Sequence, residues 1–205
     1  MRKRNILLTI FFALLILIAF KFDNEIVSAV SSIRFELLTD ILMGIIFVSS
    51  EIVIFIFLTS LFLWKEHKRR WILPLWISLA ASVILSFLLK ITIQRARPYQ
   101  LGIVTSIEAL QKAGHLIWDF SFPSFQAMLA FCALPILDKE FPKFKYVWLA
   151  LASLIAFSRV YFGLHFASDV IAGALIGYLI GIGIVHLEIE NGFGKNIANR
   201  VWKKK

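Results

Sequence analysis

The composition of this chain is too apolar for a water-soluble domain. Of its 205 residues, 60% are hydrophobic and 17% are charged, whereas soluble domains have about 45–50% and about 25%. A soluble fold of this size could not bury so much apolar surface. The same composition excludes a disordered chain, a coiled coil and a disulfide scaffold. We therefore predict an all-α integral membrane protein with a single domain, residues 1–205.

Six apolar stretches predict six transmembrane helices that pack as a bundle. The first stretch follows Arg2, Lys3 and Arg4, and because it lacks a convincing cleavage site we interpret it as a retained anchor helix. Residues 25–40 mix apolar and polar side chains, which is typical of a helix lying at the membrane interface. The six stretches are Ile6–Phe20, Ile41–Trp64, Trp71–Leu89, Pro123–Leu137, Tyr146–Phe157 and Val170–Leu187.

The net charge of +9, from 22 basic and 13 acidic residues, indicates the orientation of these helices. Most basic residues lie at the two termini and in the loops on the same side of the bundle. The positive-inside rule then places both termini in the cytoplasm, with a core of about residues 6–187 and a basic cytoplasmic tail, residues 188–205. We expect a multi-pass protein of the cell (inner or plasma) membrane, whose partner is the lipid bilayer and not a nucleic acid.

Three polar clusters interrupt the apolar pattern on the predicted extracytoplasmic side. Lys90 is followed seven residues later by Arg97-Pro98, and two helical turns would let both cations point the same way. Cations at the end of a membrane helix also serve simply to reach the interface. Pro123-Ser124 opens the fourth stretch, where free N–H groups and the helix dipole favour an anion. We interpret these two clusters as candidate anion-binding elements, and for the second a plain helix start is the alternative.

The third cluster contains Ser158-Arg159, His165 and Asp169. On a helix, His165 and Asp169 would share a face, because they are four residues apart. The carboxylate could then hold one imidazole nitrogen as a donor and leave the lone pair of the other free for a nucleophile or base. The planar donors of Arg159 suit a phosphate group. Ionisable residues at membrane depth are costly and usually functional, which favours a site over a plain interhelical contact.

In order and spacing, the three clusters resemble the signature motifs of the type 2 phosphatidic acid phosphatase superfamily, which includes integral-membrane lipid phosphatases. The resemblance implies hydrolysis of a membrane lipid phosphate without a metal or other cofactor, near the extracytoplasmic interface. It implies that His165 attacks phosphorus and forms a phosphohistidine, while Asp169 orients its ring. The residues implied to hold the phosphoryl oxygens are Lys90, Arg97, Ser124 and Arg159.

One position departs from the family pattern. The second motif normally reads Pro-Ser-Gly-His, and its histidine is the general acid for the leaving group, but this chain has Phe125 and Gln126 there. Glutamine cannot deliver a proton, and general acid catalysis contributes about 10²–10⁴-fold. Three interpretations follow. The substrate is a polyprenyl (undecaprenyl-type) diphosphate, whose leaving phosphate needs no proton; or His115 substitutes as the acid; or the protein is a non-catalytic lipid-phosphate binder or carrier.

Two further features of the membrane stretches concern function and packing. Glu51 lies within the second stretch and is a functional candidate by its depth alone; a structural hydrogen bond is the alternative, and no partner is predicted for it. Gly173, Gly177 and Gly181 recur every four residues in the sixth stretch. This spacing predicts close packing against another helix of the same chain, with dimerisation through the same stripe as the alternative.

Overall fold

The computed structural model describes residues 14–105 and 119–202, and in these ranges the chain is helical without strands. Short 3₁₀ turns at Glu66–Trp71 and Pro142–Phe144 lead into two of the longer helices. The helices are residues 14–21 (α1), Asp23–Ser32 (α2), Glu36–Val48 (α3), Glu51–Leu63 (α4), Ile72–Ile93 (α5), Phe125–Glu140 (α6), Lys145–Tyr161 (α7), Ala167–Asn191 (α8) and Phe193–Trp202 (α9).

Three helical segments of the described chain are long and apolar enough to cross a membrane. They are Glu66–Ile93, Pro142–Tyr161 and Ala167–Asn191, and a fourth span results if the bent pair of α3 and α4 counts as one. The helix α6, with 16 residues, is shorter than a typical span of about 20. It is nevertheless the most enclosed of the described helices, because all residues from Ala127 to Leu137 except Phe131 are buried. Much of the first predicted stretch lies outside the described residues.

The second apolar stretch is bent sharply, although its continuous hydropathy predicts one straight helix. The helices α3 and α4 meet at an angle of 68° at Ser49 and Ser50. The hydroxyl of Ser49 donates to the carbonyl oxygen of Ile46 at 3.2 Å, and Ser50 has the extended backbone conformation of a residue preceding a helix. Serine side chains compete with the backbone for hydrogen bonds and so favour helix starts over helix interiors.

The helices α6 and α8 pack closely along the glycines of α8. A Cβ atom added to Gly173 would lie 2.6 Å from the carbonyl oxygen of Ser124. At Gly177 and Gly181 the added atom would lie 2.3 Å from a carbonyl oxygen of α6. Because only glycine allows such an approach of two backbones, the predicted packing of this stripe within the chain is confirmed.

The end of α8 is fastened to α9 by a buried carboxylate. Glu188 accepts hydrogen bonds from the backbone N–H groups of Gly194 at 2.7 Å and Lys195 at 3.2 Å, and Arg70 lies 3.6 Å away. Gly192, at φ +59°, makes the turn between the two helices. The predicted basic tail therefore begins inside α8 and continues as a helix beside the turn Glu66–Trp71.

The glycine stripe makes a stability prediction with a matched control. Gly177→Ala should lower the free energy of unfolding by about 1–3 kcal/mol, because the new methyl group overlaps the backbone of Met128. Gly183→Ala, on the same helix, meets nothing within 4 Å and should leave stability unchanged or slightly raised. Thermal unfolding of both variants in mild detergent measures the difference. Equal stability of the two variants would contradict the close packing of α6 on α8.

Candidate active site

Four helix ends meet at one end of the bundle and bring the three motifs together. The helices α5 and α7 end there, and α6 and α8 begin there. The charges of Arg97, Lys90 and Arg159 all act on the imidazole of His165. Ser124 is joined to the start of α8 by a backbone hydrogen bond. Residues that are far apart in the sequence thus form one cluster of three cations, a hydroxyl and an imidazole.

Backbone carbonyl groups hold two of the three cations in place. Lys90, which is 5% exposed, donates from Nζ to the carbonyl oxygen of Phe120. Arg97 donates from Nε to the carbonyl oxygen of Asp119 at 3.0 Å, and the carboxylate of Asp119 lies 2.9 Å away. The Nη1 group of Arg97 also donates to the carbonyl oxygen of Leu164 at 3.3 Å. The first motif is therefore tied directly to the third.

The spacing of two helical turns predicts that Lys90 and Arg97 lie on one helix, but in the structure they do not. The helix α5 ends at Ile93, and Gln94 has the left-handed φ of +51°. Arg97 therefore lies beyond the helix, where its backbone N–H donates to the side chain of Gln100 at 2.8 Å. The two cations nevertheless act on the same imidazole, because the chain turns back over the end of α5.

Arg159 and Ser124 have buried polar atoms that lack a partner among the described residues. Arg159 donates from Nη2 to the hydroxyl of Ser49 at 2.6 Å, while its Nε is unpaired. Ser124 is fully buried at the start of α6, and its hydroxyl is also unpaired. Leaving buried donors unsatisfied is costly. Beside a helix N-terminus and three cations, an anion would satisfy both of them.

The imidazole of His165 is fixed by a backbone carbonyl. Its Nδ1 lies 2.7 Å from the carbonyl oxygen of Ser121. Because a carbonyl oxygen only accepts, Nδ1 carries the proton and Nε2 keeps its lone pair. A neutral imidazole in this tautomer is a nucleophile or a base at Nε2.

Asp169 holds the ring of His165 less directly than the four-residue spacing predicts. The ring lies in the turn before α8, and its Nδ1 is 3.9 Å from the Asp169 carboxylate. Asp169 Oδ2 instead accepts from the hydroxyl of Ser121 at 2.5 Å and from the backbone N–H of Phe166 at 2.9 Å. The carboxylate thus caps the start of α8 and fixes Ser121, whose carbonyl oxygen in turn holds the imidazole.

Arg95 belongs to the site although it is not part of any of the three motifs. Its guanidinium donates to Asp169 at 2.6 Å, to the hydroxyl of Ser168 at 2.7 Å and to Asp23 at 2.7 Å. It also lies 4.0 Å from the ring centroid of Phe166. Arg95 therefore neutralises the buried carboxylate of Asp169 and ties α2 to the start of α8. In the sequence, only its position two residues before Arg97 points to the site.

Gln126, the residue that departs from the family pattern, has a hydrogen-bond partner in the structure. Gln126 donates from Nε2 to the carboxylate of Glu51 at 3.1 Å, and the charge of Glu51 also acts on Arg159. Glu51 thus lies beside the position of the usual general acid, brought there by the bend between α3 and α4. His115, the suggested substitute acid, lies outside the described residues.

Burial and neighbouring charges keep the ring of His165 neutral. Desolvation lowers its pKa well below 6.5, and the cations Arg97, Lys90 and Arg159 lower it further, while the hydrogen bond to Ser121 opposes this only in part. A protonated ring would face three positive charges without water. The free Nε2 lone pair is therefore present at neutral pH.

The low pKa of His165 predicts how stability depends on pH. The unfolded chain binds a proton at this histidine below about pH 6.5, whereas the folded protein does not. Stability should therefore fall as pH drops below about 6.5, by up to about 1.4 kcal/mol per pH unit from this group, and this contribution should vanish above about pH 7. His165→Asn should reduce the slope in thermal unfolding curves measured in mild detergent. His186→Asn, which removes an exposed histidine, is the control and should keep the native slope.

Comparison with known proteins agrees with this geometry. The PAP2 superfamily matches residues 71–192. The undecaprenyl-diphosphatase of Sulfolobus acidocaldarius is 29% identical over 131 residues, which are 63% of this chain and 61% of that protein. The chain thus matches about three fifths of the length of this relative.

Two crystal structures resemble this chain over most of their length. One is the PAP2-type phosphatidylglycerolphosphate phosphatase of Bacillus subtilis, with a TM-score of 0.69 and 25% identity over 91% of this chain and 96% of that one. The other is LpxE of Aquifex aeolicus, with a TM-score of 0.62 and 28% identity over 79% and 93%. Sequence and fold therefore agree: the chain belongs to the PAP2 superfamily, whose members include membrane lipid phosphatases.

Proposed function

We propose that this protein hydrolyses a lipid phosphate in the membrane without a metal, through a phosphohistidine on His165. The observation that carries the proposal is a buried, neutral imidazole whose Nδ1 is held by a backbone carbonyl, so that Nε2 carries the lone pair, and on which three cations act. Phosphate binding alone would not require a histidine whose tautomer is fixed. The geometry favours a nucleophile over a simple binding site.

The proposed chemistry assigns a task to each group of the cluster. Nε2 of His165 attacks phosphorus, and the Nδ1 proton, held by the Ser121 carbonyl, stays on the ring as positive charge develops there. The non-bridging oxygens bind the cations and the Ser124 hydroxyl, which the fold has already brought together, so that little reorganisation is needed during the reaction. Water then attacks the phosphohistidine and releases phosphate. The proposed phosphate ligands are Lys90, Arg97, Ser124 and Arg159.

Leaving-group chemistry supports a polyprenyl diphosphate as the substrate. Cleavage of a lipid diphosphate expels a phosphate monoester, whose second pKa is about 6, and such a group leaves without a proton. Cleavage of phosphatidic acid expels an alkoxide, which needs one. Gln126 cannot supply that proton. The similarity to an archaeal undecaprenyl-diphosphatase agrees with this substrate class.

An apolar cavity next to the cations is suited to the hydrocarbon chain of such a substrate. It has a volume of about 390 Å³ and lies between α3, α4, α6 and α7. Ser49, which accepts the hydrogen bond of Arg159, also lines this cavity and so joins it to the cluster. Its apolar walls include Ile41, Gly44, Val48, Val53, Leu134, Leu151 and Ile155. A lipid could therefore keep its tail among the helices while its phosphate reaches His165.

The proposal includes the orientation in the membrane. The basic turn Glu66–Trp71 and the helix α9 lie at the end of the bundle opposite His165. The positive-inside rule then supports both termini in the cytoplasm and the cluster at the extracytoplasmic interface, and the six apolar stretches of the sequence are the basis for proposing six spans. We also propose that residues 1–205 form a single domain.

The experiment that tests the function measures phosphate release from the purified protein in detergent with EDTA. A polyprenyl diphosphate should be hydrolysed faster than phosphatidic acid, because only the former has a leaving group that needs no acid. His165→Asn should abolish turnover and the acid-labile phosphoprotein, and His186→Asn should retain both. A native protein that binds these lipids but releases no phosphate would favour the non-catalytic binder or carrier.

A separate experiment tests whether the replacement of the usual histidine by Gln126 causes the preference for a diphosphate. The double change Phe125→Gly with Gln126→His should raise hydrolysis of phosphatidic acid more than that of the diphosphate, because an acid helps the alkoxide most. The expected gain on phosphatidic acid is about 10²-fold or more. Initial rates on both lipids give the ratio. An equal gain on the two substrates, or a native preference for phosphatidic acid, would contradict the leaving-group argument.

A further inference from the structure

The proposed two-step reaction leaves one task without a residue. If a diphosphate needs no acid in the first step, the second step still requires removal of a proton from the water that attacks the phosphohistidine. Gln126 stands where a histidine would accept that proton, and an amide cannot do so. The cluster also contains three cations, none of which is suited to this role. A proton acceptor is therefore needed beside Gln126.

Glu51 is the acidic residue that the fold places at this position. Its carboxylate accepts a hydrogen bond from Gln126 Nε2 at 3.1 Å. Its charge also acts on Arg159, whose Nη2 donates to Ser49, two residues before Glu51. The bend of 68° between α3 and α4 brings both residues to the cluster. Glu51 therefore touches the motif position whose histidine is replaced and lies near a cation proposed to hold the phosphoryl group.

The exposure of Glu51 matches the demands of a base that works with water. The residue is exposed, whereas Lys90, Ser124, Arg159 and His165 are buried. The carboxylate also lies at the end of the bundle where α5 and α7 end and α6 and α8 begin, which places it toward the membrane interface, where water can reach it and where the proton that it accepts can return to solvent. The hydrogen bond from Gln126 restricts its orientation toward the start of α6.

We propose that Glu51 is the general base for hydrolysis of the phosphohistidine, an inference that rests on the proposed function. The oxygen of a water molecule bonds to phosphorus while one of its protons passes to the Glu51 carboxylate. The bond between phosphorus and Nε2 of His165 breaks, and its electron pair returns to Nε2. Inorganic phosphate leaves, and Glu51 then releases the proton to solvent. Gln126 is a positioning residue that holds the carboxylate through its amide.

The test separates the two steps by rapid-quench kinetics with a radiolabelled polyprenyl diphosphate and EDTA. Glu51→Gln should release one equivalent of lipid monophosphate per protein at the native rate and then accumulate phosphoprotein. Release of inorganic phosphate should be slowed about 10²-fold or more, because the base is lost only from the second step. Glu36→Gln, which removes an exposed carboxylate from the first turn of α3, should behave as the native protein.

Two further variants distinguish the loss of the base from the loss of folded protein. Glu51→Asp retains a carboxylate and should lie between native and Glu51→Gln in phosphate release. Adding Gln126→His to Glu51→Gln should restore phosphate release, since a histidine again stands beside the phosphohistidine. The size of the initial burst counts the folded, competent protein in each sample, so that a misfolded variant is recognised directly.

The outcomes distinguish this inference from the function on which it rests. Normal turnover in the native protein combined with unchanged phosphate release in Glu51→Gln would overturn the role of Glu51 alone. The same conclusion follows if Glu51→Gln slows the burst and the steady rate equally, since that pattern belongs to a residue that only supports the site. A native protein without phosphoprotein or phosphate release would overturn the proposed function itself.

Discussion

The close approach of α6 and α8 is the constraint on which the site depends. The absence of side chains on the glycine stripe of α8 lets the carbonyl oxygens of α6 approach to distances that a Cβ would not permit. At the top of this contact, the backbone N–H of Ser124 donates to the carbonyl oxygen of Asp169 at 3.0 Å. The second motif is thereby placed beside the third, and the N-terminal ends of two helices point into one cluster.

Cations that are buried in a membrane bundle need hydrogen-bond or ion-pair partners. The partners of the cation that supports the fold differ from those of the cations in the site. Arg95 is neutralised by two buried carboxylates, Asp23 and Asp169, and becomes part of the scaffold. Lys90 is held by a backbone carbonyl group, which positions a cation without cancelling its charge, whereas Arg97 is held by two backbone carbonyl groups and by the carboxylate of Asp119. Uncancelled positive charge with unpaired donors nearby is what a phosphoryl group requires. The same charge keeps His165 neutral.

The bend between α3 and α4 connects the membrane interior with this charged end. Ser49 contacts Arg159 and also lines the apolar cavity, so the cavity and the cationic cluster meet at one residue. The residue that starts α4, Glu51, reaches Gln126. A straight helix over this stretch would carry neither contact. The two consecutive serines, which are poor in helix interiors, are the local reason for the bend.

The sequence by itself determined the class of protein, the approximate helices and the motif residues. Hydropathy finds α5, α7 and α8 because crossing a membrane requires long apolar runs. The spacing Arg159, His165, Asp169 identifies the third motif because its chemistry needs those residue types. The tertiary structure alone decided which neighbours these residues have. The Ser121 carbonyl, rather than Asp169, fixes the ring of His165, and backbone carbonyls carry no signal in a sequence. The pairing of Glu51 with Gln126 joins residues 75 positions apart through a bend that hydropathy does not register.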